Sequence, residues 1–384
     1  MTRIVFTSDL HVHAHRTESR DGGMDRLRDG LPALRQTLDY ARQYQCPWVF
    51  GGDAKVPRRT WPHDALTGWL DALNEYRDVF KVLIPGNHDG FGEYGNGLSP
   101  FVGPSAAVVE RPGVVDIPGV GPVAVLPHVP SGYDPAQLVQ STPPGVSCVI
   151  GHGMVEGCAL GPDEFRADHG MTLDALGLTG PKPRFKVALF GDVHKGQMYS
   201  RGKWTPFVDV LPDTVDGPTV IRKASPWKGD VVYPGSPYAQ TRGERNDGPK
   251  GCLLVDLGTG EVTFLPVTAP RYVDDEWEKQ SDVPDEVSIV ERWRGNFVRL
   301  TTGPWFKTSA HCMMLDTLVE RAEPRNFTHE ITPDVKSEQR TEMHAGMATG
   351  DLVRAWVTAR PLDGVETEHV VSAGLALAGE VADA

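Results

Sequence analysis

The sequence is poor in the features that mark membrane proteins and zinc-stabilised domains. No apolar run approaches the roughly 20 residues that a membrane-spanning helix needs, and the composition is that of an ordinary soluble chain. The five cysteines are scattered, odd in number and form no CxxC pair. This pattern argues against structural zinc and favours a reducing compartment.

A signal peptide and an excess of positive charge are also missing. The N-terminal residues run straight into a strand-like stretch, Ile4–Ser8, so we expect a cytoplasmic protein. The formal net charge of −13 argues against a chain that coats nucleic acid by its overall field. A nuclease is not excluded, because bound divalent ions locally reverse the charge of carboxylate ligands.

What the sequence does contain is a polar stretch after each of five predicted strands. Two amphipathic helices, over 24–43 and 63–76, separate the first three strands. Right-handed β-α-β crossovers would place the first three polar stretches at one edge of a sheet. The stretches are Asp9-Leu10-His11, Gly51-Gly52-Asp53, Pro85-Gly86-Asn87-His88-Asp89, Gly151-His152-Gly153 and Gly191-Asp192-Val193-His194.

These side chains favour a metal centre. A single histidine in such a place is more often a hydrogen-bonded structural residue, but five strand ends with Asp, His or Asn are hard to explain by chance. Oxygen and nitrogen donors without cysteine suit Mn²⁺, Fe²⁺, Zn²⁺ or Mg²⁺. The donors are too many for one ion, so we expect two ions about 3.5–4 Å apart that share a carboxylate.

The rest of the chain divides at an acidic segment. Further strands are predicted up to residue 265, with few helices between them, which indicates two packed sheets. Residues 90–112 are expected to form a loop, and 274–287 a linker or domain boundary. We therefore predict domains at 1–272 and 285–384. In the second we expect a strand at 297–302, a helix at 310–322, an extended stretch at 326–332, and helices at 350–359 and 370–382.

The five motifs, in this order over roughly residues 1–270, resemble those of the calcineurin-like metallophosphoesterases. The resemblance implies an α/β fold: a β-sandwich flanked by helices in four layers (α/β/β/α), with a small α+β capping domain. Three further stretches resemble the SbcD branch, the nuclease subunit of DNA double-strand-break repair complexes. They are Gly191–Gln197, Tyr233–Pro237 followed by Gly243-Glu244, and His152–Gly157.

The resemblance also implies a role for each residue. Asp9, His11 and His194 would bind the first metal, and Asn87, His152 and Asp192 the second. Asp53 would bridge the two ions, which we expect to be Mn²⁺, with Mg²⁺, Fe²⁺ or Zn²⁺ as alternatives. His88 would be the general acid or charge stabiliser, and a water on the ions the nucleophile. The predicted substrate contacts are Lys195, Gln197, Ser236 and Arg58.

The chain departs from the family pattern at two positions. Asp192 stands where relatives usually have histidine, which adds negative charge and shifts the metal preference toward Mn²⁺ or Mg²⁺. Val56 stands where many relatives have an acidic residue or a histidine that orients the catalytic histidine. Either Asp89, His13 or another group then orients His88, or His88 is less well held.

These features predict an SbcD-like DNA phosphodiesterase, a 3′→5′ double-strand exonuclease with single-strand endonuclease activity. Its partners would be DNA and an SbcC-type SMC-like ATPase, in a heterotetramer that contains a homodimer of this chain. The C-terminal helices would be the dock for the ATPase.

Two alternatives remain: a small-molecule or nucleotide phosphodiesterase of the same superfamily, and a catalytically silent DNA-binding or regulatory subunit. A protein Ser/Thr phosphatase is disfavoured, because residues 52–58 lack its Gly-Asp-x-Val-Asp-Arg-Gly motif.

Overall fold

The computed structural model describes residues 2–13, 25–56, 60–90, 95–128, 133–161, 165–212 and 215–332. The predicted helices at 350–359 and 370–382, and Arg58, lie outside these residues. The helices are α1 (Asp25–Gln43), α2 (His63–Glu75), α3 (Pro135–Ser141), α4 (Glu286–Trp293) and α5 (Ser309–Ala322). Within the described part of the chain, no helix is long and apolar enough to cross a membrane.

The strands form three sheets. The first has the order β11-β14-β13-β1-β2-β3-β4, the second β10-β9-β12-β8-β7-β6-β5, and the third β15-β16-β17. In chain order the strands are β1 (Arg3–Thr7), β2 (Trp48–Phe50), β3 (Lys81–Leu83), β4 (Ala106–Val108), β5 (Gly113–Ile117), β6 (Gly121–Leu126), β7 (Cys148–His152), β8 (Val187–Gly191), β9 (Gln197–Ser200), β10 (Lys203–Pro206), β11 (Thr219–Arg222), β12 (Asp230–Tyr233), β13 (Gly251–Asp256), β14 (Val262–Pro266), β15 (Tyr272–Trp277), β16 (Phe297–Thr302) and β17 (Asn326–Ile331).

The two large sheets pack face to face because their strands alternate in side-chain direction. In β1, Ile4 and Phe6 point to the second sheet, while Val5 points to the helices. A single buried apolar cluster joins both sheets, and burial of each of its side chains stabilises the fold by about 1.5–3 kcal/mol. It includes Ile4, Phe6, Val49 and Val82 from the first sheet and Val125, Ile150, Leu189 and Val232 from the second.

The outer faces of the two sheets are covered differently. Helices α1 and α2 cover the first sheet, and Leu34, Leu38 and Trp69 are buried against it. The second sheet is covered by the short helix α3 and by loops, with Leu138 and Phe185 in its core. The predicted fold class, a mixed α/β fold with two large sheets and few helices, is therefore confirmed.

In both large sheets the central strands are parallel, and their C-terminal ends lie at the same edge. Strands β1, β2, β3 and β4 run parallel to one another, as do β6, β7, β8 and β12. The loops after β1, β2, β3, β7 and β8 carry the polar motifs, so the topology delivers these motifs to a common place.

Two predictions about local structure are wrong. Residues 90–112, expected as a loop, include β4, which pairs in parallel with β3 and forms the edge of the first sheet. Residues 274–287, expected as a linker or domain boundary, are not a linker, because they begin within β15, which pairs over its whole length with β16. In β15 alternate residues are buried, among them Val273 and Trp277, and this alternation is the strand signal that the acidic composition hid.

The third sheet has its own apolar core. Its strands are all parallel, and α4 and α5 connect them. Trp277, Trp293, Leu300 and Leu315 are buried between this sheet and its helices. The buried carboxylate of Asp275 accepts a hydrogen bond from Trp293 Nε1 at 2.6 Å, so the acidic side chain is accommodated inside the core.

Candidate metal centre

The polar motifs meet at the edge that the two large sheets share. Asp9 and His11 follow β1, Asp53 follows β2, and His88 follows β3. From the second sheet, His152 ends β7, while His194 follows β8. Three overlapping groups have ligand atoms within 4.8 Å of one another: Asp9 with His11 and His194, His11 with Asp53 and His88, and Asp9 with Asp53 and His152.

Asp53 lies at the centre of these groups. Its Oδ2 is 3.4 Å from His11 Nε2, and its Oδ1 is 3.6 Å from His152 Nε2. His152 Nε2 is also 3.6 Å from Asp192 Oδ1. One carboxylate thus faces both the His11 side and the His152 side of the site, which is the position that the sequence predicts for the bridging ligand.

Three of the histidines present Nε2 to the site because Nδ1 is held from behind. His152 Nδ1 lies 2.7 Å from the carbonyl of Gly51, and His194 Nδ1 lies 3.1 Å from Glu244 Oε1. His88 Nδ1 lies 2.7 Å from the carbonyl of Val56. An acceptor at Nδ1 keeps a proton there and turns Nε2 toward the site, which is how metal-binding histidines are usually oriented.

The backbone is strained where the ligands leave the strands. Asp9 (φ 56°), His11 (φ 44°), Asp53 (φ 62°) and Asp192 (φ 94°) all have positive φ. Non-glycine residues adopt this region at a cost, and such residues concentrate at functional sites.

Close packing explains one glycine of the motifs. A Cβ on Gly86 would overlap the carboxylate of Asp53, so a side chain there would push the loops apart.

The pKa shifts of three buried groups, Asp53, Asp9 and His11, suit a bound cation. Burial raises the pKa of Asp53 to about 7 and also raises that of Asp9, so a nearby divalent ion would stabilise both as carboxylates. Burial and the neighbouring His194 lower the pKa of His11 well below its usual value, which keeps this imidazole neutral, as a metal ligand must be.

Two buried atoms test whether the donor set fits a metal. Asn87 Oδ1 and His152 Nε2 are buried and have no hydrogen-bond partner among the described residues. A buried polar atom without a partner costs about 1–3 kcal/mol. Both atoms belong to residues predicted to bind the second ion, and both are donors that Mn²⁺, Mg²⁺, Fe²⁺ or Zn²⁺ would accept. The residues therefore fit two divalent cations.

The structure answers the question raised by Val56. Its backbone carbonyl lies 2.7 Å from His88 Nδ1 and orients the ring. Asp89 has another role: its carboxylate accepts the backbone N–H groups of Asp53, Ala54 and Gly86 at 2.8–3.1 Å and so ties two motif loops together.

The predicted substrate contacts are used inside the protein. The Gln197 amide is buried and bonds both the N–H and the C=O of Ala159, at 2.8 Å each. Lys195 Nζ donates to the carbonyl of Gly161, and the hydroxyl of the buried Ser236 donates to Glu244.

Two residues near the site were missed from the sequence. Glu244 was noted only as part of a family signature, yet its carboxylate holds His194 and is itself held by Lys250 Nζ at 2.8 Å. His128 follows β6, and its ring lies 6.2 Å from that of His152. The rule that identified the other motifs, a polar residue shortly after a buried strand, would also have identified His128.

Comparison with known proteins agrees with this arrangement in part of the chain. Residues 2–152 match the model of the calcineurin-like phosphoesterases, a range that includes Asp9, Asp53, His88 and His152 but not His194. No curated protein is similar enough to count as a match.

Among solved structures, 46 chains match. One is the calcineurin-like phosphoesterase YfkN from Bacillus subtilis, with 16% identity, a TM-score of 0.33, and coverage of 61% of this chain and 81% of that one. At this TM-score the likeness supports no inference about function.

Proposed function

Since the chain carries the sequence motifs and the fold of the calcineurin-like metallophosphoesterases, we propose that it is a two-metal DNA phosphodiesterase of the SbcD type. The observation that carries the metal-dependent part is the convergence of Asp and His donors from both large sheets, together with the unsatisfied Asn87 Oδ1 and His152 Nε2. When bound, two divalent ions activate water and neutralise charge on the phosphoryl oxygens.

The chain's own residues would organise the reaction around these ions. His88 would act on the leaving oxygen, and the contact between its Nδ1 and the Val56 carbonyl supports this role because it leaves Nε2 for the site. The His88 backbone N–H donates to Asp53 Oδ1 at 2.8 Å, so the predicted bridging carboxylate and the predicted general acid keep a fixed separation. Such fixed geometry lowers the entropic cost of reaching the transition state.

The proposed specificity for DNA rests on the stretches that resemble SbcD. Tyr233, Ser236 and Glu244 belong to these stretches, and all three are buried behind the metal centre. The Tyr233 hydroxyl bonds the backbone of Gly153 and Val155, and Ser236 with Glu244 supports His194. These residues of the SbcD-like stretches therefore support the metal centre from behind. With it we propose DNA, an SbcC-type ATPase and a second copy of this chain as partners.

The test is cleavage of end-labelled duplex DNA with Mn²⁺. Asp53→Ala should abolish nucleotide release, because it removes the central carboxylate. His88→Ala should lower kcat by about 10²- to 10⁴-fold, the usual contribution of a general acid, and should still bind two Mn²⁺ per chain. His169→Ala is the matched control, since this exposed histidine pairs with the exposed Asp168.

Equal release by wild type, Asp53→Ala and His88→Ala would disprove the assignment. Loss of one Mn²⁺ from His88→Ala would instead make His88 a ligand, a role within reach because it lies in a group with His11 and Asp53. An assay with a co-purified ATPase tests the proposed partner.

One observation favours a small-molecule phosphodiesterase as a second candidate. The polar groups of Lys195, Gln197 and Ser236, expected to contact DNA, are bonded within the protein. Rapid hydrolysis of bis(p-nitrophenyl) phosphate or of a nucleotide phosphodiester, with no release from duplex or single-stranded DNA, would establish this alternative.

A further inference from the structure

The third sheet is connected to the metal centre by two sets of contacts, and the first runs through a short segment of chain. The 3-10 helix Arg242–Glu244 lies between the predicted first metal site and β15. Glu244 faces the site, while Arg242 and the next arginine, Arg245, face the third sheet. One turn of backbone therefore joins a predicted ligand to an element that contributes no ligand.

On the side of the metal centre, Glu244 is fully engaged. Oε1 contacts His194 Nδ1 at 3.1 Å, and Oε2 accepts from Ser236 Oγ at 2.9 Å and from Lys250 Nζ at 2.8 Å. Burial alone would raise the pKa of Glu244, but Lys250 and His194 lower it to about 2, so the group is a carboxylate. The orientation of His194 thus depends on the position of this glutamate.

On the side of the third sheet, one carboxylate forms ion pairs with three guanidinium groups. Asp274 of β15 pairs with Arg242, with Arg245 at 2.9 Å and with Arg299 of β16 at 2.6 Å. The Asp274 side chain is only 17% exposed, so solvent screens these pairs less than surface pairs. The Arg242 guanidinium also lies 5.2 Å from the centroid of the Tyr272 ring.

A second connection reaches the other end of the same site. The Tyr272 hydroxyl donates to the carbonyl of Gln240 at 3.5 Å, and Gln240 Nε2 donates to the carbonyl of Asp9 at 2.5 Å. Asp9 and His194 belong to one predicted ligand group, that of the first metal. Among these contacts of β15, none leads to Asn87, His152 or Asp192.

From these contacts we propose that Asp274 is a positioning residue for the first metal site: through Arg242 and Arg245 it fixes the turn that holds Glu244 against His194. The inference rests on the proposed function, because it concerns the same metal centre. The third sheet thereby sets the affinity of the first metal site for its ion and leaves that of the second site unchanged.

The experiment is titration of the metal-free full chain with Mn²⁺ by calorimetry. Asp274→Asn should weaken the first site about 3- to 10-fold, less than the 10- to 100-fold typical of a partner that touches the ligand itself, and leave the second site unchanged. Asp274→Glu should recover most of the affinity. Glu276→Gln is the matched control, because it removes a carboxylate from the same strand at an exposed position. In an Asn87→Ala background, which removes a second-site ligand, the remaining site should show the same weakening.

The possible outcomes distinguish a failure of the positioning role of Asp274 from a failure of the proposed function. If wild type binds two Mn²⁺ and Asp274→Asn behaves like Glu276→Gln, the positioning role is wrong while the proposed function stands. If Asp274→Asn weakens both sites equally, or lowers the melting temperature of the metal-free chain well below that of Glu276→Gln, its effect is on folding and the inference is also overturned. If wild type binds no divalent ion, the proposed function fails first.

Discussion

Single hydrogen bonds behind the ligands decide how this centre presents its imidazoles. The carbonyls of Gly51 and Val56 and the carboxylate of Glu244 each hold one Nδ1. Two of the three acceptors are backbone atoms, which any residue type at those positions would supply. Val56 therefore does not leave His88 without support, although its side chain cannot accept a hydrogen bond.

Among these acceptors Glu244 makes the stability of the protein depend on pH. The Glu244 pKa lies at about 2, below the usual 4.5, because Lys250 and His194 outweigh the effect of burial. A lowered carboxyl pKa stabilises the folded state fully above the unfolded value, and this contribution is lost as pH falls through the folded one.

We therefore predict that Glu244→Gln destabilises the metal-free chain less at acidic pH. The pH-dependent part should be about 3 kcal/mol at pH 7 and about 1.5 kcal/mol at pH 3. Urea unfolding of both proteins across this range measures the difference. A difference that stays constant with pH would show that the Glu244 carboxyl is not held in its charged form.

At the scale of elements, β15 shows how a charged strand can be mistaken for a linker. Its acidic side chains have partners that lie far away in sequence: Asp274 meets Arg242, and Asp275 meets Trp293 and Arg292. The buried Val273 and Trp277 alternate with them. Composition alone reports the charges, whereas pairing with β16 makes the segment a strand.

The strand assignment predicts an asymmetry between two neighbouring acidic residues. Asp275→Ala should cost about 1–3 kcal/mol, because it leaves the buried Trp293 N–H without an acceptor. Glu276→Ala, at the next and exposed position, should stay within about 0.5 kcal/mol. Chemical unfolding followed by tryptophan fluorescence gives both values, and equal effects would argue for the linker.

Across the whole molecule, the candidate metal centre joins the two large sheets. Asp9, His11 and Asp53 come from the first sheet, and His152 and His194 from the second. An ion that binds both sets is bound only by the assembled sandwich, so its binding free energy adds to the free energy of unfolding.

We expect Mn²⁺ at about 100 times its dissociation constant to add about 2.7 kcal/mol per site and to raise the melting temperature of the chain by roughly 5 °C. EDTA should reverse the shift. Asp53→Asn, which keeps the shape of the side chain but removes its charge, should show little shift at the same Mn²⁺ concentration. An equal shift in both proteins would place the stabilising ion elsewhere.

The fold class and the convergence of the motifs could be predicted from the sequence by itself. Buried strands, amphipathic helices and post-strand Asp and His residues are local patterns, and parallel β-α-β connections bring such strand ends to one edge for general reasons of handedness. The individual ligand roles and the domain limits stay predictions.

Only the tertiary structure decided what supports those motifs. The Val56 carbonyl at His88, the Glu244 carboxylate at His194 and the pairing of Asp274 with Arg242 each join residues more than 30 positions apart. The same is true of Gln197, whose amide bonds the backbone of Ala159. A backbone acceptor or a distant charge leaves no periodic trace in the sequence, because its position is set by how the chain packs.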